Sequence, residues 1–444
     1  MKTVIRRRWL VVVSTVLALF VGGAYAQDKA IVLKGGKLLT VSHGVIEHGT
    51  VVIQGGKIIA VGAESSTKVP KDARVVDVAG MTVYPGLIDS ESNLGLTEIS
   101  AEAMTNDLVE ANEEIMPHMH VYDAFHAESE LIPVTRLNGI TNAIVAPDSK
   151  DTLPGQDSFV QLAGNSALDM LLVRDIAMPL NFTGDQRRNS GGFEKLKFPA
   201  TRMGMAAQLR QAFLDAQDYA QKLADYEKKK SEAAQKTDDK DKKTPTQPKR
   251  DLKMEALLPY LQGNKPIVLA AEGASDLETA VSLAKEFNLK FVLNHISQSQ
   301  SVLDYVAALK VPVIVGPIYE EPKPYERYDA VYSLPAQLYK RGVKIAFASF
   351  DAHNVRNLPY QAGYATAFGL PPEEALKAMT LNAAEIWGMG DKLGSLDVGK
   401  TANVVVANGD PLDVRTDVKQ VFIAGQEIPM VSRQTQLRDR YSSR

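Results

Sequence analysis

The 444-residue chain contains no cysteine. Structural disulfides, thiolate nucleophiles, iron–sulfur clusters and cysteine-held zinc are therefore excluded, and any metal must be held by histidine and carboxylates. Histidine is itself scarce, with seven in the whole chain. Charge of one sign is also missing: 50 Lys and Arg face 53 Asp and Glu, for a formal net charge of −3. That balance argues against a nucleic-acid partner, which needs a basic surface. What is present is ordinary, with 45% apolar and 23% charged residues, as expected of a folded chain too long for one small domain.

Long apolar runs are absent except near the start. Lys2 and Arg6 to Arg8 precede a mainly apolar stretch from Trp9 to Val21, and Ala24-Tyr25-Ala26 is a small-x-small cleavage pattern. This reads as a secretory signal peptide over residues 1–26, since a membrane anchor needs about 20 apolar residues. The mature protein is then expected in the periplasm or secreted, with no membrane attachment after cleavage. Removing four cations and no acid takes its net charge from −3 to −7.

Residues 27–84 and 394–430 have one texture, short β-rich runs broken by glycine, such as Ile31-Val32-Leu33, Gly35-Gly36, Val51-Val52-Ile53, Gly55-Gly56 and Val404-Val405-Val406. They are read as hairpins of a β-sandwich built from both chain ends. Residues 85–393 alternate differently. Buried-type runs at 140–145, 266–271, 290–293, 311–315 and 343–347 are separated by helical stretches such as 276–287, 300–309 and 372–379, which predicts an α/β fold with a TIM-like (β/α)8 barrel. A helix candidate over 206–226 gives way to a charged insertion at about 228–250, read as solvated. Residues 431–444 form a C-terminal tail.

Four ordered pieces of this sequence resemble the amidohydrolase superfamily, in its imidazolonepropionase and prolidase-like branch. They are Gly55-Gly56-Lys57-Ile58-Ile59-Ala60-Val61-Gly62, Gly80 to Asp89 with Pro85-Gly86-Leu87-Ile88-Asp89, Ala375 to Ala384, and Gly394 to Lys400 followed by Gly409-Asp410-Pro411-Leu412. The resemblance implies a metal-dependent hydrolase acting on non-peptide or dipeptide C–N bonds. In that family histidines after strands one, five and six and an aspartate after strand eight hold one or two divalent metals. The metal lowers the pKa of its bound water from about 15.7 to about 7.

The resemblance fails at those ligand positions. The two histidine slots after the first strand hold Glu91 and Asn93, the fifth-strand slot falls on Ala270 with Glu272 beyond it, and the aspartate slot falls on Phe350, one residue before Asp351. His295 alone is retained. The resemblance thus implies a degraded site in a weak or inactive hydrolase, with catalytic roles for Asp351 and His295, ligand contacts from Glu91, Asn93, Glu272 and His353, and any metal on His295 and Glu91. Whether one divalent metal, zinc or another, or none is bound stays open at this point. A replacement oxygen-rich site on Glu91, Asn93, Glu272, His295 and Asp351 is the competing reading. His118-x-His120 follows Pro117 in a connecting segment and is read as a loop contact, since the metal pair must leave the first strand directly. Expected partners are a small-molecule ligand and either further copies of the chain or an active paralogue.

Overall fold

A computed structural model describes residues 29–110, 113–182, 198–235, 245–297, 300–322 and 326–442. The expected signal peptide and the insertion tip at 236–244 lie outside the described residues. No helix among the described residues is long and apolar enough to cross a membrane.

The first five strands are β1 Ile31–Leu39, β2 Val45–Gln54, β3 Lys57–Ala63, β4 Arg74–Asp77 and β5 Thr82–Pro85. Gly55-Gly56 forms the β2–β3 turn, with φ of +57° and +75°, as its sequence suggests. Gly35-Gly36 does not turn the chain, contrary to expectation. It lies inside β1, which pairs with β4 through Ile31–Lys34 and with β5 through Lys37 and Leu38. The two glycines mark the register shifts where β1 changes partner. Gly35 sits at φ +85°, and a Cβ on Gly36 would lie 3.0 Å from Val78, so a bulge is built where a hairpin was read.

The next eight strands form the barrel. They are β6 Leu87–Ser92, β7 Ile140–Val145, β8 Asp157–Gln161, β9 Leu171–Asn181, β10 Ile267–Ala270, β11 Phe291–Asn294, β12 Val313–Val315 and β13 Ile345–Phe347, and they lie side by side in that order. Neighbours run parallel except at β8, which is antiparallel to both β7 and β9. The ends of the sheet meet beyond β6 and β13, where Ser349 N donates to Asp89 Oδ1 (3.0 Å), Phe350 N to Glu91 O (3.0 Å) and Asn93 N to Asp351 O (3.2 Å). One residue from every strand packs into a single apolar cluster: Ile88, Ile144, Phe159, Ala177, Val268, Val292, Ile314 and Ala346, joined by Trp387 and Leu393. The barrel is therefore filled, and chemistry is confined to one end.

The last strands, β14 Val404–Ala407, β15 Val418–Ile423 and β16 Gln426–Ile428, return to the first sheet, where β14 lies against β5. Their core joins Val404, Val406 and Phe422 to Leu33, Leu38, Val51 and Val83. Asn403 ties this unit to the barrel, its Nδ2 donating to Asn142 Oδ1 at 2.7 Å. The insertion starts as a helix over Arg202–Gln235, longer than its sequence pattern suggested. Its buried residues end at Tyr219, so the helix extends through Lys228-Lys229-Lys230 into solvent.

Candidate functional site

Strand alternation places the polar residues of the barrel mouth. Side chains two apart on a strand share a face, so Asn294 projects above Val292, and Asp157 above Phe159. Because β8 is reversed, its first residue stands where the parallel strands end. Ala270, Gly316 and Ala348 continue the faces of Val268, Ile314 and Ala346 with small side chains. Glu91, near the end of β6, meets this layer directly, since Asn294 Nδ2 donates to Glu91 Oε2 at 2.8 Å.

The layer is rich in acceptors, and its acids are held against ionisation. Burial pushes Glu91 up to about 8, with the neighbouring Asp89 charge adding to it and the Asn294 bond opposing. Asp89 is pushed up to about 7 by burial, against the backbone bonds it accepts from Ser349 and Glu91. Asp157 is raised well above the usual carboxylate range by burial and by Glu91. Several buried atoms at this end of the barrel have no hydrogen-bond partner among the described residues: both Asp157 oxygens, Asp89 Oδ2, Asn294 Oδ1 and Ser90 Oγ. A buried acceptor without a donor is costly. Protonating the acids removes the larger cost of a buried bare charge.

An aromatic pair follows β11 and β13 at the same end of the barrel, and Phe350 packs against the apolar cluster that fills it. The rings of His295 and Phe350 lie 4.4 Å apart, and a Cβ on Gly316 would be 3.4 Å from Phe350. Burial lowers His295 to about 4, so its imidazole is neutral at pH 7. Both residues adopt φ of +51°, a left-handed conformation costing a non-glycine residue on the order of 1–3 kcal/mol.

The other expected site residues are spread around this centre. Asn93 donates its amide to Ala146 O at 2.8 Å. Asp351 caps the turn after β13, accepting from the backbone of His353 and from both the backbone and side chain of Asn354. His353 Nε2 is 3.0 Å from Glu98 O. Glu272 lies two residues past β10, its carbonyl accepting from Ser297 N at 3.0 Å. His120 Nδ1 is 2.7 Å from Asp175 Oδ1, and exposed His43 is 3.2 Å from Asp397. Among the described residues no three His, Asp or Glu side chains are placed to hold a metal ion. The donor set present does not fit the divalent centre that the fold suggests: Phe350 stands in the aspartate position, Ala270 offers no donor, and Asn93 and Asp351 are turned to backbone partners.

Sequence reasoning missed Asp157, Asn294 and Asp89. Asn294 stands beside the retained histidine and could have been found from strand alternation. Asp157 could not, because its strand runs opposite to the barrel pattern.

A model of the amidohydrolase family matches residues 333–428. Over 396 residues the chain is 26% identical to the amidohydrolase tasK of Hapsidospora irregularis, a match covering 85% of this chain and 39% of that protein. This chain thus spans about two-fifths of that relative's length. Over 43 residues, 10% of each chain, it is 56% identical to the imidazolonepropionase of Shewanella oneidensis. A solved amidohydrolase from Thermotoga maritima superposes with a TM-score of 0.77 and 28% identity, covering 91% of this chain and all of its own. The motifs spread from Gly55 to Leu412, the filled barrel with its second sheet drawn from both chain ends, and these likenesses together show an amidohydrolase-family domain at residues 333–428 within a fold shared with a solved amidohydrolase.

Proposed function

We propose that this protein is an exported amidohydrolase-family member with weak or no metal-assisted hydrolysis of C–N bonds, whose barrel mouth binds a small molecule. The observation carrying this reading is the replacement of ligand positions by groups already engaged elsewhere: Glu91 bonded to Asn294, Asn93 to Ala146, and Phe350 packed on His295. Metal-bound water supplies the nucleophile in such hydrolases, and among the described residues no side chain identified at this mouth replaces it. Export is supported by the basic, apolar and small-residue pattern of residues 1–26.

An active partner unit is part of the proposal. The 396 aligned residues make up 39% of tasK, so that protein has about 396/0.39, or roughly 1,000 residues, leaving about 600 outside the match. That length accommodates a second barrel of about 250 residues with its flanking sheet. In this reading, the present chain is one half of a pair.

The test is metal analysis of the mature protein purified without chelators, combined with turnover assays on N-acyl amino acids, Xaa-Pro dipeptides and cyclic amides. Substoichiometric metal and turnover unaffected by Glu91→Gln or His295→Ala are expected. Near-stoichiometric divalent metal lost with Glu91→Gln would overturn the reading and favour the oxygen-rich metal site.

A further inference from the structure

We propose that the floor of the barrel mouth is a binding site for a protonated amine, seated on Asp157, Glu91 and Asn294 at the barrel end that carries the His295–Phe350 pair. The inference rests on the reading above, that this mouth takes a ligand without a divalent metal, and adds the chemical class of that ligand.

Three observations lead to it. The first is the set of buried oxygens at the floor that have no partner among the described residues. The Asn294 amide donates to Glu91, while Asn294 Oδ1 and both Asp157 oxygens have no partner. Asp157 and Asn294 are 0% and 1% exposed, so bulk water cannot satisfy them. Asn294 is neutral, and its unpartnered oxygen is evidence independent of the acids. An occupant that completes this set brings N–H donors, and its positive charge offsets the burial that keeps Asp157 and Glu91 protonated, so that they ionise against it.

The second observation separates an ammonium from a metal. A divalent ion draws its oxygen or nitrogen ligands to about 2.0–2.6 Å, which requires them to crowd together, and no such group exists among the described residues. An ammonium reaches acceptors at about 2.9 Å in three directions and accepts a more open set.

The third is the wall. Phe350 packs against the apolar cluster that fills the barrel, and neutral His295 lies against its ring. An alkylammonium can place its head on the acceptors and its chain against the rings. Glu91 is only 7% exposed, so entry requires side chains of the mouth to move.

The test uses the mature full-length protein in phosphate buffer at pH 8 with n-butylammonium as the probe, and n-butanol, butyrate and tetramethylammonium as controls. Calorimetry and thermal shift are expected to show saturable binding of butylammonium, none of butanol or butyrate, and poor binding of tetramethylammonium, which has no N–H donor. Asp157→Asn should weaken butylammonium by about tenfold or more, and Phe350→Ala should speed its association. Binding unchanged by Asp157→Asn would overturn the proposal. So would absence of binding to both the wild type and Phe350→Ala, an outcome that leaves the metal-free reading standing if Mg2+ and Zn2+ also fail to bind. Stoichiometric Mg2+ or Zn2+ binding that excludes butylammonium would overturn both.

Discussion

Replacing Glu91 with glutamine should stabilise this protein, and by an amount that depends on pH. Glutamine keeps the shape of the protonated acid and an oxygen to accept the Asn294 bond, and it does not titrate. The native group moves from an ordinary value of 4.5 to about 8 on folding. A group raised in this way contributes fully below its unfolded pKa, and that contribution is lost as pH rises through its folded pKa. At pH 7 the loss spans the interval from 4.5 to 7, about 2.5 pH units at 1.36 kcal/mol each, or about 3 kcal/mol. Above pH 8 it approaches about 5 kcal/mol, from 3.5 units. The Glu91→Gln variant should therefore match wild type near pH 4.5 and melt about 3–4 °C higher at pH 7, given about 2.1 cal/mol/K of unfolding entropy per residue. Calorimetry from pH 4.5 to 8.5 in phosphate or acetate, with chelator and without amine buffers, reads this directly. A shift that does not change with pH, or a variant less stable than wild type at pH 8, would refute the reasoning. Either result means that folding does not hold the Glu91 carboxyl above its ordinary range.

Two further predictions concern the scaffold. A Cβ at Gly316 would lie 2.1 Å from Ala348 O, at a φ of +138°, so Gly316→Ala should cost about 3 kcal/mol or more through overpacking and backbone strain; a melting temperature within a degree of wild type would contradict this. Trypsin should first cut native protein within residues 228–250, where the exposed end of the Arg202–Gln235 helix carries Lys228, Lys229 and Lys230, and the nicked protein should remain associated through the packed Met205–Tyr219 face. Resistance there would indicate that the segment is covered by a partner.

Much of the fold was legible because its signals are local. Four short apolar runs became β10 to β13, and Gln300–Leu309 is a helix over the predicted span. The strand β8 was not legible, since its polar Asp157-Ser158 start does not resemble a buried strand until the reversed neighbours on both sides are known. Gly35-Gly36 misled because a bulge and a turn use glycine for the same backbone reason. At the site, the slots occupied by Glu91 and Phe350 were found by position along the motif, but what replaced the ligands was not. Proximity of Asp157, Glu91 and Asn294 depends on three strands more than 60 residues apart, and the turning of Asn93 and Asp351 toward backbone partners depends on the closure of the barrel seam.

The joining of both chain ends in one sheet also sets an order of events during synthesis. Pro85 of β5 pairs with Val404 of β14, 319 residues later. At about 5–20 residues per second the nascent β5 waits roughly 16–64 s for its neighbour, and contacts of such long range slow folding further. Through that interval one edge of β5 is an open pairing surface directly attached to the first barrel strand. The last strands of the chain thus govern how long this edge is exposed to aggregation, so truncations before Val404 should be felt first as loss of soluble yield, ahead of any change at the barrel mouth.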